Sequence, residues 1–284
     1  MTPFWLCSRL NYFYGDRLSD LPRLARISRE SWLRGLRRLA FYAALLLLWQ
    51  GVATAGIWPR YVFPAPTDVL EALVSGLRKG LYVQAMLVSV RNVAVGYSLS
   101  LVFGVGLGLL IGRSRILEET VGSLVVGLQS LPSVCWLPLA ILWLGLNERA
   151  IIFVVIMGAL FSITLGVDAG VKNTPPRYVK AARNLGATGF ALYWQVILPA
   201  ALPAILAGLK QGWAFAWRSL MAGELIFYSL SLGNLLQTGR DLNDVAMVMS
   251  VMGMIVFVGV TVDQVLFSPI ERRVRARWGF DASR

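Results

Sequence analysis

The sequence predicts an all-α membrane protein with six transmembrane helices, and three observations carry that expectation. Its 284 residues are 57% hydrophobic, with a mean hydropathy of +0.64, too apolar for a soluble chain of this length, which needs a polar surface. Several apolar runs reach the length of roughly 20 residues that spans a bilayer core. Most of the Lys and Arg residues sit at the ends of those runs, the pattern that sets orientation in a membrane. The net charge is +12 and the pI about 10.3. The placement of that charge argues for a lipid bilayer as partner and against nucleic acid.

Taken in order, residues 1–38 hold Arg9, Arg17, Arg23, Arg26, Arg29, Arg34, Arg37 and Arg38. No apolar core with a small-residue cleavage site follows at signal-peptide distance. The segment reads as a cytoplasmic N-terminal arm, with an amphipathic helix at 21–36 on the membrane surface. Residues 39–57 are the first span, with Trp49 and Trp58 at or near an interface and Pro59 ending it. Pro64 and Pro66 stiffen an extended entry. Asp68 can cap a helix carrying Glu71 three residues on, and Val69, Leu70, Leu73 and Leu77 give that helix one apolar stripe, as on a helix lying along the outer membrane surface.

The second span falls within 82–111. Gly104, Gly108 and Gly112 place small residues on one face, where a neighbouring helix can come close; a nucleotide-binding loop would need a preceding strand. Residues 121–144 form the third span, bent by Pro132 and Pro138. After a turn at 147–149, residues 150–171 form the fourth span. Residues 202–227 are the fifth, 228–243 a polar loop, and 244–267 contain the sixth, stopped by Pro269 ahead of a basic tail. With the N-terminus inside, 19 Lys and Arg fall on cytoplasmic segments and five on external ones, out of 27. That bias places both termini and the loop before span five in the cytoplasm. The expected organisation is an arm, 1–38, and a six-helix domain, 39–284, with a cytoplasmic loop at 172–200.

Catalytic chemistry has little to work with. The chain has no histidine, which removes histidine triads, histidine metal ligation and His-Glu-x-x-His proteases, and no G-x-x-x-x-G-K-[ST] loop for ATP. Cys7 and Cys135 do not make a disulfide framework. No catalytic residue, metal site or cofactor is expected in this chain. The informative residues are polar groups at membrane depth. Arg218, in the middle of span five, costs roughly 2.5–3.5 kcal/mol to insert and so should face a partner or water. It either lines a translocation path for an anionic solute or pairs with an acid such as Glu224 or Asp263. Gln129, Ser130, Ser133 and Trp136 surround Pro132, where a bent helix can line a solute path or bond to a neighbour. Trp213 and Trp217 are read as packing, and Asp168 as a hydrated group at the cytoplasmic end of span four.

Residues 175–200, PPRYVKAARNLGATGFALYWQVILPA, stand apart: polar and basic between two apolar segments. Pro175 and Pro176 suit a first helical turn, 178–185 a short helix with a smooth side at Ala181 and Ala182, and Gly186 its end. A second piece, 190–197, runs into Leu198-Pro199. Lys180-Ala181-Ala182, Gly186 and Ile197-Leu198-Pro199 together resemble the Glu-Ala-Ala signature of permease subunits of bacterial ABC importers, with Lys180 at the glutamate position. The Pro64/Pro66 entry and LPSVCWLPLAILWLGL at 131–146 narrow the resemblance to the nitrate/sulfonate/taurine/bicarbonate branch.

The resemblance implies a type I ABC importer permease fold in a bacterial inner membrane. It implies a coupling helix, with Tyr178, Lys180, Ala181, Ala182, Arg183 and Gly186 at an ATPase groove, and a path to which Gln129, Ser133, Trp136, Arg218 and Glu224 are candidates. The partners implied are cytoplasmic ABC ATPase subunits that carry the ATP and Mg, a second permease copy, and a periplasmic or lipoprotein solute-binding protein. An ATP-independent secondary transporter is the alternative, although the inverted repeats of such folds are not visible.

Overall fold

The structure, a computed structural model, describes residues 21–277, with side chains from Trp32 onward except those of Arg34 and Arg277. Residues 1–20 and 278–284, with Arg9, Arg17 and Cys7 of the arm, lie outside the described residues. The chain divides at Asp68 into two units, taken in turn.

In the first unit, α1 runs unbroken from Leu21 to Thr54, 34 residues, or about 50 Å at the helical rise. Its part Gly35–Thr54 is long and apolar enough to cross a membrane. The expected surface helix and first span are therefore one continuous helix, because no proline interrupts 24–54. It ends at Thr54, ahead of Pro59. The Thr54 hydroxyl donates to the Gln50 carbonyl at 2.9 Å. The Trp49 indole N–H donates to the Pro64 carbonyl at 3.1 Å and ties the helix to the Pro-rich entry. The second helix, α2, spans Pro66–Arg78. Asp68 is not its N-cap, as the sequence suggested. It lies in the first turn and accepts from the Ala65 N–H at 3.0 Å, because Pro66 takes the first helical position.

The second unit is a bundle. It comprises α3 (Leu81–Arg113), α4 (Ser123–Gln129), α5 (Leu137–Leu144), α6 (Glu148–Lys172), α7 (Pro176–Asn184), α8 (Gly189–Leu192), α9 (Leu198–Glu224), α10 (Leu232–Asp241), α11 (Val245–Val262) and α12 (Ser268–Arg277). Among the described residues, five stretches are long and apolar enough to span a membrane: Gly35–Thr54, Leu81–Arg113, Glu148–Lys172, Gly189–Glu224 and Val245–Ala276. The third predicted span is broken. Its halves, Arg115–Gln129 and Ser133–Leu144, meet at 99° around Leu131-Pro132, so that the pair is either one broken crossing or a re-entrant loop. The predicted polar loop 228–243 contains the ten-residue helix α10, capped by Ser231 through the Asn234 N–H at 3.2 Å.

The bundle is built on α6, whose Ala150, Ile151, Val154, Val155, Ala159, Ile163 and Val167 are fully buried. Lipid offers little hydrophobic drive for helix association, so close van der Waals contact must supply it. Glycines supply the closeness. On α3, a Cβ added at Gly96, Gly104 or Gly108 would lie 2.6 to 2.9 Å from Val155, Ile163 or Thr164. The predicted Gly104/Gly108/Gly112 stripe faces α6. On the other side Gly166 of α6 and Gly208 of α9 meet backbone to backbone: a Cβ on the former would sit 2.5 Å from the Cα of the latter.

Pro269 does not end span six. The π-helical turn Asp263–Phe267 precedes it, with the Ser268 N–H bonded five residues back to the Asp263 carbonyl, and the helix continues to Arg277. The same device precedes Pro199, where Tyr193–Ile197 is π-helical and the Leu198 N–H bonds to the Tyr193 carbonyl. Widening the turn by one residue relieves the clash of the proline ring with the carbonyl four residues back. The helix through Leu198-Pro199 therefore crosses from the 173–197 loop into span five without a break.

The glycine contacts make a graded test. Gly166→Val should lower the detergent melting temperature or abolish folding, since overpacking costs about 1–3 kcal/mol or more. Gly106→Ala, on the same helix as the α3 stripe but with nothing within 4 Å of its Cβ, should leave it unchanged.

Candidate functional site

Two features stand out: the loop between α6 and α9, and the outward face of α9.

The loop opens on Thr174, whose hydroxyl bonds back to the Gly170 carbonyl. Pro175 holds the N-cap of α7 and Pro176 its first position. The end of α7 is set by Gly186 at φ +85°. The Ala187 N–H donates to the Ala182 carbonyl at 3.0 Å and the Gly186 N–H to the Arg183 carbonyl at 3.0 Å. That pair of bonds is the Schellman ending, which needs a left-handed residue where Gly186 stands. The glycine in the sequence pattern thus has a backbone cause.

The two alanines do not form one smooth side. Ala182 is buried against the body while Ala181 is exposed, as successive helical residues must point about 100° apart. The outward surface consists of Arg177, Tyr178, Lys180, Ala181, Arg183 and Leu185, which is 88% exposed. Beyond it Phe190 and Trp194, both exposed, stack at 6.0 Å.

One tie fastens this loop to the bundle: the Tyr193 hydroxyl donates to the Leu109 carbonyl of α3 at 3.2 Å. Just before the loop, at the end of α6, Lys172 bridges Asp168 at 2.6 Å and Glu118 at 2.9 Å, tying α6 to the segment that follows α3. Asp168 is buried and paired, which corrects the expectation of a simply hydrated group.

On α9, Ala207, Gln211 and Arg218 are exposed and Ala214 and Ala222 half-buried along one face. The Arg218 guanidinium lies 5.8 Å from the Phe215 ring centroid. Neither predicted acid is its partner. Asp263 pairs with Lys210 at 3.0 Å, and the Glu224 carboxylate bonds to Ser89 and the Gly233 amide. Glu224 is fully buried, whereas Arg218 opens outward. Six residues apart, the two project from different sides of the helix. Trp213 and Trp217 stack on each other at 6.1 Å and pack against the core, as expected.

Below Arg218 a cleft of about 700 Å³ is lined by Ala207, Lys210, Gln211, Phe267, Glu271 and Arg275, among others. Lys210 reaches Asp263 and, at 3.6 Å, Glu271, which in turn holds Arg275 at 2.8 Å. This ion-pair group was not singled out from the sequence; the signal was available, as Lys210 and Asp263 are both charges inside apolar runs.

Gln129, Ser130, Ser133 and Trp136 all fall at the break in span three. Gln129 ends α4, Ser133 opens the 3₁₀ turn before α5, and the Ser130 hydroxyl bonds to the Gly127 carbonyl at 2.6 Å. Trp136, half-buried, packs against Phe153 and Phe161, each at 6.4 Å.

A close-packed bundle with five helices long and apolar enough to cross a membrane, one pair bent at Leu131-Pro132, and a structured helical loop leading into span five is the framework of a multi-pass membrane protein. The family described as "Binding-protein-dependent transport system inner membrane component" matches residues 104–276, and the chain belongs to it. The chain is 31% identical over 232 residues to a probable ABC transporter permease protein, BMEII0107, of Brucella melitensis, covering 82% of this chain and 93% of that one. It is 29% identical over 204 residues to the taurine transport system permease protein TauC of Escherichia coli K12, covering 70% and 74%. In fold it matches an inward-facing structure of the MetNI methionine ABC transporter with a TM-score of 0.61 at 22% identity, covering 68% of this chain and 96% of the other.

The Schellman ending makes a local prediction. Gly186→Val should strain the left-handed position by about 1–3 kcal/mol and fray α7, seen as faster tryptic cleavage at Arg183 in membranes of the variant than of the wild type.

Proposed function

We propose that this subunit forms, with a second copy of itself, the membrane pathway of an ATP-driven importer, and that α7 is the coupling helix which docks on a separate cytoplasmic ATPase carrying the ATP and Mg. A solute-binding protein outside the membrane delivers the cargo. The observation that carries this reading is the 173–197 loop. A Schellman-terminated helix offers Tyr178, Lys180, Ala181, Arg183 and Leu185 outward, and after a four-residue turn at 185–188 the chain runs as helix from Gly189 through a π turn into span five. On this reading a push on α7 passes through that short turn to the helix Gly189–Glu224, and through Tyr193 to α3. ATP binding closes the ATPase pair, the spans reorient to open outward, and hydrolysis restores the inward-facing state. The chain itself does no covalent chemistry. Both termini lie in the cytoplasm of a bacterial cell on this reading, in keeping with the charge bias.

The outward face of α9 is the candidate wall of the path. Small residues, Ala207, Ala214 and Ala222, leave room there, and Arg218 gives it positive charge. A cation at membrane depth without an acid beside it, among the described residues, favours an anionic solute. Relatives named for taurine, nitrate, bicarbonate and aliphatic sulfonates support a small anion of that type, sulfonates first. Gln129 and Ser133, at the break in span three, are the second wall.

Two experiments test this. Leu185→Glu should cut recovery of the ATPase with the affinity-purified permease by about tenfold or more, as expected for loss of an exposed anchor, with membrane insertion unchanged; normal recovery would contradict docking through this surface. Arg218→Ala should lower solute uptake by about tenfold, the loss of one charge interaction, while the complex assembles normally. Unchanged uptake would remove Arg218 from the path.

A further inference from the structure

We propose that Glu224 is a positioning residue: it fastens the loop helix α10 to the ends of α3 and α9, so that contact with α10 from outside is delivered to those two spans. The proposal rests on the importer reading above, which places this end of the bundle on the external side.

The Glu224 side chain is sealed from solvent, with no exposed surface. Its Oε2 accepts from the Ser89 hydroxyl of α3 at 2.7 Å and from the Gly233 N–H of α10 at 3.1 Å. The Ser89 oxygen in turn accepts from the Leu232 N–H at 3.0 Å. Ser89 and Ser231 are themselves fully buried. One carboxylate thus joins α9 to α10 and to α3, whose Ser89 lies 135 residues away in sequence. It also meets the first N–H groups of α10, where an anion is favoured by the helix dipole.

Sealing a carboxylate away from water is costly, and an apolar side chain would hold the same helices together at lower cost. What an apolar side chain cannot do is fix rotation and register, and directional hydrogen bonds do that. The fit leaves no slack: a Cβ added at Gly233 would lie 2.4 Å from the Glu224 Cβ. The other end of α10 is equally fixed. Asn243, at φ 54°, closes it with a second Schellman pair, from Asp244 N–H to Gly239 carbonyl and from Asn243 N–H to Arg240 carbonyl. Asp244 then caps α11 through the Met247 N–H at 2.9 Å. The Tyr82 and Ser250 hydroxyls, 2.7 Å apart, tie α3 to α11 beside it. The loop helix is therefore bolted at both ends to the spans it connects. Its Glu224 end reaches α9 six residues, or about 9 Å of helical rise, from Arg218. Movement of α10 turns the part of α9 that presents the path.

The test uses the assembled transporter in lipid nanodiscs, with its ATPase and its solute-loaded binding protein. Ser89→Ala, Glu224→Gln, Glu224→Ala and Gly233→Ala are compared for bound ATPase, basal ATPase rate and rate with the binding protein. Glu224→Ala and Gly233→Ala should keep the basal rate per assembled complex yet lose about fivefold or more of the stimulation. Glu224→Gln, which retains an acceptor oxygen for Ser89 and Gly233, should recover most of it. A stimulation ratio equal to wild type in Glu224→Ala and Gly233→Ala overturns the proposal, as does a loss of basal and stimulated rates in equal proportion. If those two variants do not assemble, Ser89→Ala, which removes a single hydroxyl, decides: reduced stimulation upholds the joint and unchanged stimulation overturns it. Wild-type permease that binds no ATPase would instead count against the importer reading, before any variant is made.

Discussion

The bundle depends on how closely α6 is approached by α3 and α9. A membrane helix gains little by hiding apolar side chains from lipid, so it must gain by contact. Here the contact is made by backbones. Gly96, Gly104 and Gly108 let α3 lie against Val155, Ile163 and Thr164, and Gly166 and Gly208 bring α6 and α9 together with no side chain between them. The three helices form one close-packed layer. The polar sites lie around it: the loop tie at Tyr193, the bridge from Lys172 to Glu118, the sealed carboxylate at Glu224, and the open face with Arg218.

That placement suits the proposed coupling role. The connections between elements are the helix Gly189–Glu224 and side-chain hydrogen bonds such as that of Tyr193, whereas the exposed surfaces of α7 and α9 carry small, apolar and cationic residues. The π turns before Pro199 and Pro269 serve the same end. Each lets a helix pass a proline without a break, so the end of the 173–197 loop is joined to span five by helix. Proline and glycine, usually taken as breakers, mark here the points of greatest mechanical continuity and closest contact.

Much of this was legible in the sequence. The spans, the small face of α3 and the role of Gly186 followed from apolar length, spacing four apart and helix-ending chemistry. What was not legible depended on geometry between elements. The direction in which Ala181 and Ala182 point comes from how α7 sits on the bundle. The partners of Arg218, Glu224, Asp168 and Asp263 are set by tertiary register: sequence named Glu224 and Asp263 as candidates for Arg218, and the structure gives them Ser89 and Lys210. Pro269 was read as a stop because the one-residue widening of the preceding turn leaves no mark in composition. The helix α10 was missed because its apolar residues are few and its polar ones resemble a loop, although Ser231, three residues before Asn234, is a serviceable cap.

The central claim is that the helix 176–184 stands on the cytoplasmic side as the point where an ATPase moves the bundle. The most direct test replaces Cys7 and Cys135, introduces Lys180→Cys at an exposed position of that helix, and treats sealed vesicles of each orientation with a membrane-impermeant maleimide. The account predicts rapid labelling in inside-out vesicles, protected when the ATPase is bound, and none in right-side-out vesicles. Labelling from the outer face would place the helix on the wrong side of the membrane and contradict the account.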